Sequence, residues 1–125
     1  KDSIIEFEMI FFYIGCVFWT IAYDTVYGFQ DIKDDMRIGI KSTSIKFRKS
    51  PKLFLSVCYL LSCLCWSLAF QKIDINNLVI YSIIILFFIL FIGLIITNLK
   101  KPEACYRFFV YNSYFGFLVT LILII

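Results

Sequence analysis

Four stretches of about twenty residues with almost no charge constrain this chain more than any other feature. Cut at its charges, the sequence leaves residues 9–30, interrupted only by Asp24, then "LFLSVCYLLSCLCWSLAF" (53–70), "LVIYSIIILFFILFIGLIIT" (78–97) and "FFVYNSYFGFLVTLILII" (108–125). Each block is about as long as the roughly 20 residues an α-helix needs to cross the hydrocarbon of a bilayer. Ile, Val, Phe and Tyr also favour strands, but lipid offers no partner to backbone polar groups outside helices and closed barrels. Barrel strands alternate polar and apolar residues, and these blocks do not. The expected fold is therefore all-α, a polytopic bundle of four membrane-spanning helices over about 9–30, 53–70, 78–97 and 108–125.

Composition excludes the soluble alternative. Apolar residues make up 62% of the 125 residues and charged ones 17%, against about 45–50% and about 25% in soluble domains. So small a domain has too much surface to hide that much Phe, Ile and Leu. The net charge of +3 does not argue for nucleic acid as a partner. Histidine is absent, so any chemistry falls to carboxylates, amines, hydroxyls or thiols. The five cysteines, Cys16, Cys58, Cys63, Cys65 and Cys105, lack Cys-x-x-Cys spacing and read as packing residues. The chain opens on Lys1 with acidic residues close behind, which reads as an internal piece of a longer protein.

The connections set the orientation. Lys33, Arg37, Lys41, Lys46, Arg48, Lys49 and Lys52 lie between blocks one and two, and Lys100, Lys101 and Arg107 between three and four. Ten of the twelve basic residues thus share one side, which the positive-inside rule assigns to the cytoplasm. Ser50-Pro51 reads as a capping hydroxyl followed by a first helical position, and Pro102 reads as part of the loop before the last helix.

The first block ends in acids. Asp24, Tyr27, Asp31 and Asp35 are spaced by three, four and four residues, which on a continuing helix puts them on one face. Carboxylates one turn apart repel, and partial desolvation penalises them further; a divalent cation relieves both effects. Mg²⁺ is commonly held by one or two carboxylates together with substrate phosphates, and Asp31 with Asp35 suits that use. Asp34 reads as a solvated charge within reach of Arg37, and Asp24 either as part of the site or as a buried group bonded to Tyr13 or Tyr27. The following "RIGIKSTSIKF" offers Lys41 as a cation for an anionic ligand, hydroxyls at Ser42, Thr43 and Ser44, and Gly39 for a tight turn.

"YDTVYGFQDIKDDMRIGIKSTSIKF" resembles the second aspartate-rich motif of the UbiA-type intramembrane prenyltransferases, and among them the 4-hydroxybenzoate polyprenyltransferases. "NLKKPEACYRFFVYNSYFGFLV" is similar to the family's last loop and final helix, through Ala104, Cys105, Phe109, Asn112 and Gly116. The resemblance covers nearly the whole chain. It implies that residues 1–125 are the C-terminal part of a UbiA-like domain of about nine helices, whose N-terminal helices and first aspartate-rich motif lie elsewhere in the same enzyme. It implies Asp31 and Asp35 as ligands of Mg²⁺ and, through it, of a polyprenyl diphosphate, with Asp24, Tyr27 and Lys41 lining that pocket. The implied reaction joins the polyprenyl group to the ring of 4-hydroxybenzoate in ubiquinone synthesis, in a bacterial or mitochondrial inner membrane with the motif on the cytoplasmic or matrix side. Alternatives are another enzyme of the superfamily, making menaquinone, haem O or a lipid, and a transporter whose carboxylates mark an ion path.

Overall fold

The computed structural model describes residues 6–125; Lys1 lies outside them. Among these residues the chain is helical, without strands: α1 (Phe7–Gly28), a 3₁₀ turn (Phe29–Asp31), α2 (Ile32–Arg37), α3 (Thr43–Lys46), α4 (Pro51–Lys72), α5 (Asn77–Ile96) and α6 (Pro102–Ile124). The four long helices are the four expected spans, each long and apolar enough to cross a membrane. Twenty-two residues of α4 rise about 33 Å, matching about 30 Å of hydrocarbon. Their outer faces carry large exposed apolar side chains such as Leu60, Tyr81, Phe88 and Phe117. Water would penalise such a surface, whereas lipid does not; this is an integral membrane protein.

Helix ends correct two sequence expectations. Pro51 takes the first position of α4, but Ser50, at the cap position, makes no side-chain capping bond. Pro102 is the first residue of α6 instead of a loop residue, so the last helix starts well before residue 108. A proline there loses an N–H that would have no helical partner anyway. Glu103 and Arg107 ride on the opening turns of α6 as exposed side chains. Cutting the sequence at charges located the hydrocarbon span, and the helix runs past it. By contrast, α5 begins with a capping side chain, Asn76 accepting the Leu78 N–H at 2.9 Å.

Tight contact between α1 and α4 rests on Gly15. A Cβ there would stand 2.6 Å from Trp66 Nε1, so only hydrogen lets the helices close. Two interhelical bonds secure the approach: Ser62 Oγ donates to the Gly15 carbonyl at 2.8 Å, and Trp66 Nε1 donates to the Phe12 carbonyl at 3.2 Å. Trp66 then stacks on Phe12 at 5.6 Å and Phe115 at 6.2 Å and meets Phe87 edge-on at 5.4 Å. One indole thereby gathers α1, α4, α5 and α6.

A second junction is polar. Asn112, buried on α6, accepts through Oδ1 from Tyr59 Oη at 2.9 Å and Trp19 Nε1 at 3.2 Å, while its Nδ2 donates to the Phe108 carbonyl at 2.9 Å. Gly116, one turn on, leaves room for the Trp19 ring, to which a Cβ would stand 2.6 Å away. All five cysteines are free thiols, with Cys58 and Cys105 buried, in keeping with a packing role.

The up-and-down path brings the end of α1, the start of α4, the end of α5 and the start of α6 to one end of the bundle. Lys52 Nζ ties that end together by donating to the Ile95 carbonyl on α5. A cation at the C-terminus of α5 also opposes its dipole. The ten basic residues of the two connections lie at this end.

Candidate functional site

The acidic stretch is not one continuous α-helix. At Phe29–Asp31 the backbone tightens into a 3₁₀ turn, and Asp31 itself sits at φ −111°, ψ 15° as the cap of α2. Three residues turning about 120° each instead of about 100° add roughly 60° of rotation. Tyr27 is thereby carried to about 100° from Asp31, whereas Asp24 comes to about 40° from it, the same offset as between Asp31 and Asp35. The latter pair stays together, because residues 32–34 between them are α-helical. Of the expected four-residue stripe, Tyr27 is the member the turn displaces farthest.

Asp24, Asp31 and Asp34 are exposed and Asp35 is half-buried. The alternative of a buried Asp24 bonded to Tyr13 or Tyr27 does not hold, since its carboxylate faces outward. Tyr27 is 48% exposed, and its ring packs on Phe109 of α6 at 4.9 Å. Tyr23, one turn below, meets Phe109 edge-on at 5.9 Å, and Trp19 meets Tyr23 at 5.1 Å. The α1 and α6 rings therefore descend from the carboxylates into the bundle, beside a cavity of about 240 Å³ lined by Trp19, Tyr23, Phe109, Asn112 and Ser113.

After α2 the chain reverses around Gly39, at φ +79°. The Ile40 N–H donates to the Asp35 carbonyl at 3.0 Å and the Gly39 N–H to the Met36 carbonyl at 3.3 Å. These two bonds make a Schellman C-cap, which requires a left-handed residue at that position and favours glycine. Lys41 follows directly on the reversed chain and is exposed.

The hydroxyls after Lys41 have a different task from the one their sequence position suggests. Ser42 caps α3 by accepting the Ile45 N–H at 3.3 Å. Ser44, buried, donates to the Thr25 carbonyl at 2.7 Å. Thr25 Oγ1 donates to the Ile21 carbonyl at 2.6 Å, which uses its one proton, so Thr43 Oγ1 donates to Thr25 across 2.6 Å. Gly28 completes the latch: a Cβ there would overlap Ser44 Oγ. These side chains dock the segment after Lys41 on α1. Thr25 and Gly28 are the residues that sequence reasoning missed; both lie inside the acidic motif, and only their burial against a segment some nineteen residues away exposes their role.

Gly28→Val should break this latch without touching a carboxylate or Lys41. Losing two hydrogen bonds of about 1 kcal/mol each raises the open population about 5- to 30-fold. Tryptic cleavage at Lys46, Arg48 or Lys49 should accelerate to match, and an unchanged rate would show the loop is held by something else.

Among the described residues, no three His, Cys, Asp or Glu side chains form a group able to hold a metal by themselves. Gln30 Nε2, next to Asp31, is buried without a hydrogen-bond partner among them.

Comparison with known proteins gives this geometry a context. A sequence profile of the UbiA prenyltransferase family matches residues 3–121. Proteins named 4-hydroxybenzoate octaprenyltransferase are similar: that of Psychromonas ingrahamii is 31% identical over 103 residues, covering 82% of this chain and 36% of the relative. That of Saccharophagus degradans is 28% identical over 109 residues, covering 87% and 36%, and that of Vibrio campbellii 30% over 115 residues, covering 92% and 40%. The chain thus spans little more than a third of the length of these curated relatives. No solved structure gives a match. With four spanning helices, an aspartate pair beside a pinned lysine loop and a profile match over nearly its whole length, the chain belongs to the UbiA prenyltransferase family.

Proposed function

We propose that this chain supplies the C-terminal part of a membrane-embedded 4-hydroxybenzoate polyprenyltransferase of ubiquinone synthesis, contributing one half of a Mg²⁺ and diphosphate site. The observation that carries the reading is the Asp31 and Asp35 pair, one helical turn apart and followed through the Schellman turn by Lys41, in a chain of this family. The names of the similar relatives support the acceptor. Their coverage supports the remaining helices, with a first aspartate-rich motif, residing in the rest of the enzyme.

The donor set suits the metal. Asp31 and Asp35 bring hard oxygens, and Mg²⁺ takes one or two carboxylates while leaving positions to phosphates and water. When bound there it would neutralise charge on the departing diphosphate. Lys41 binds the same group as a point charge that needs no fixed orientation. Asp24 and Tyr27 line the approach from the α1 side.

The bond between prenyl C1 and the diphosphate oxygen breaks with its electron pair leaving on the diphosphate. The ring carbon next to the acceptor hydroxyl bonds to C1, and loss of its proton restores aromaticity. Tyr27 and Phe109 present faces that attract a developing cation. By the positive-inside rule the site faces the cytoplasm of a bacterium or the matrix of a mitochondrion.

The test is an assay of the full-length protein in lipid nanodiscs, with polyprenyl diphosphates and a panel of acceptors. Transfer to 4-hydroxybenzoate is expected. Transfer only to a dihydroxynaphthoate, to haem or to a lipid alcohol would select another branch of the family, and cation transport without transfer would overturn the enzyme reading. Lys41→Ala should raise the KM for the donor about tenfold, the loss of one charge-assisted contact. The acceptor KM should hardly move; the reverse pattern would take Lys41 out of the diphosphate site.

A further inference from the structure

Two cavities follow one another along the seam between α4 and α5, on the opposite side of α4 from its Gly15 contact with α1. The first, about 460 Å³, opens at the basic end of the bundle and is lined by Ser50, Lys52, Thr97, Asn98 and Lys100 over a floor of Pro51, Leu53, Ile96 and Leu99. The second, about 430 Å³, begins one turn further along α4 and is almost wholly apolar, with Val57, Leu60, Cys63, Ile84, Phe88 and Phe91 along it.

Their chemistry differs sharply. The upper cavity has two lysines and no acidic residue in its lining. Lys52 spends one of three N–H donors on the Ile95 carbonyl, which fixes it at the cavity mouth and leaves two free. Asn98 Oδ1 accepts the Lys100 N–H at 3.0 Å, so its amide N–H groups remain available. The lower groove offers nothing polar of comparable strength. From Leu53 to Cys63 the seam descends about 15 Å, half of the roughly 30 Å hydrocarbon core.

We propose that this seam binds an anionic phospholipid of the leaflet on the basic side, with its phosphate between Lys52 and Lys100 and one acyl chain lying along Val57, Leu60 and Phe88. Charge complementarity at the mouth and an apolar groove one leaflet deep fit that ligand together. Basic pockets between spanning helices on this side are suited to anionic headgroups. A free phosphate would satisfy the upper cavity alone. The site lies outside the carboxylate pair and does not depend on the reaction proposed above.

The test uses full-length protein in neutral detergent, with phosphatidylglycerol and phosphatidylcholine of identical acyl chains, and bound lipid counted by native mass spectrometry. Phosphatidylglycerol should be retained about 25-fold more strongly, about fivefold for each lysine. Lys52→Gln with Lys100→Gln should bring the two lipids to near parity, whereas Lys52→Arg with Lys100→Arg should keep the preference. Lys46→Gln with Lys49→Gln, in the loop, should leave it unchanged. Leu60→Trp fills the groove, keeps both lysines and should lower phosphatidylglycerol retention. Parity in the unmodified protein, an equal effect of the loop pair, displacement by inorganic phosphate alone, or indifference to Leu60→Trp would each overturn the proposal; parity is also the result if the rest of the enzyme covers the seam.

Discussion

In the full-length protein, Asp31→Ala and Asp35→Ala should each lower kcat for prenyl transfer by roughly 10²–10³-fold, the usual effect of removing one fixed group that stabilises leaving-group charge. The neighbouring acids provide the control. Asp34 lies about 100° around α2 from Asp35, and Asp34→Ala should leave the rate nearly unchanged. Asp24 lies about two turns before Asp31, so Asp24→Asn should have the smaller effect of a pocket-lining residue. Raising Mg²⁺ should recover part of the activity lost in Asp35→Asn, which keeps one oxygen donor. If both alanine variants retain activity within a few fold, the pair does not serve the diphosphate.

The largest expected loss of stability comes from Asn112→Leu. Leucine fits the space, but the buried Tyr59 Oη and the half-buried Trp19 Nε1 lose their common acceptor. A buried donor without a partner costs about 1–3 kcal/mol, and interhelical bonds in membranes average below that, so about 2–4 kcal/mol is expected. Unfolding by titration with a denaturing detergent measures it. Tyr59→Phe in the Asn112→Leu background should restore about 1 kcal/mol, because it removes one of the stranded groups. A loss equal to that of a distant surface substitution would mean that the junction adds no stability.

The spans were readable in the sequence because hydrocarbon length and backbone satisfaction leave few choices for twenty uncharged residues. Pro102 was misplaced for an equally physical reason: a charge marks the edge of lipid, not the end of a helix, and α6 continues through Glu103 and Arg107. At the site, the Asp31 and Asp35 spacing survives because the helix between them is regular, whereas the added rotation at Phe29–Asp31 shifts Tyr27 off the stripe. The Ser42-Thr43-Ser44 run looked like anion chemistry, since hydroxyls beside a lysine suit phosphate. Its actual partners are Thr25 and Gly28, and no local pattern announces a docking contact between segments so far apart.

The polar junction also has a timetable. Trp19 precedes its acceptor Asn112 by 93 residues and Tyr59 precedes it by 53. At about 5–20 residues per second, roughly 5–20 s separate the arrival of the first donor in the membrane from that of the residue that satisfies it. Until α6 enters, α1 and α4 hold together by Ser62, Trp66 and the close approach at Gly15, while the indole and phenol wait unpaired. Insertion of α6 is therefore the step that satisfies both donors, and a nascent chain stalled before it presents two idle donors to the quality-control machinery of its membrane.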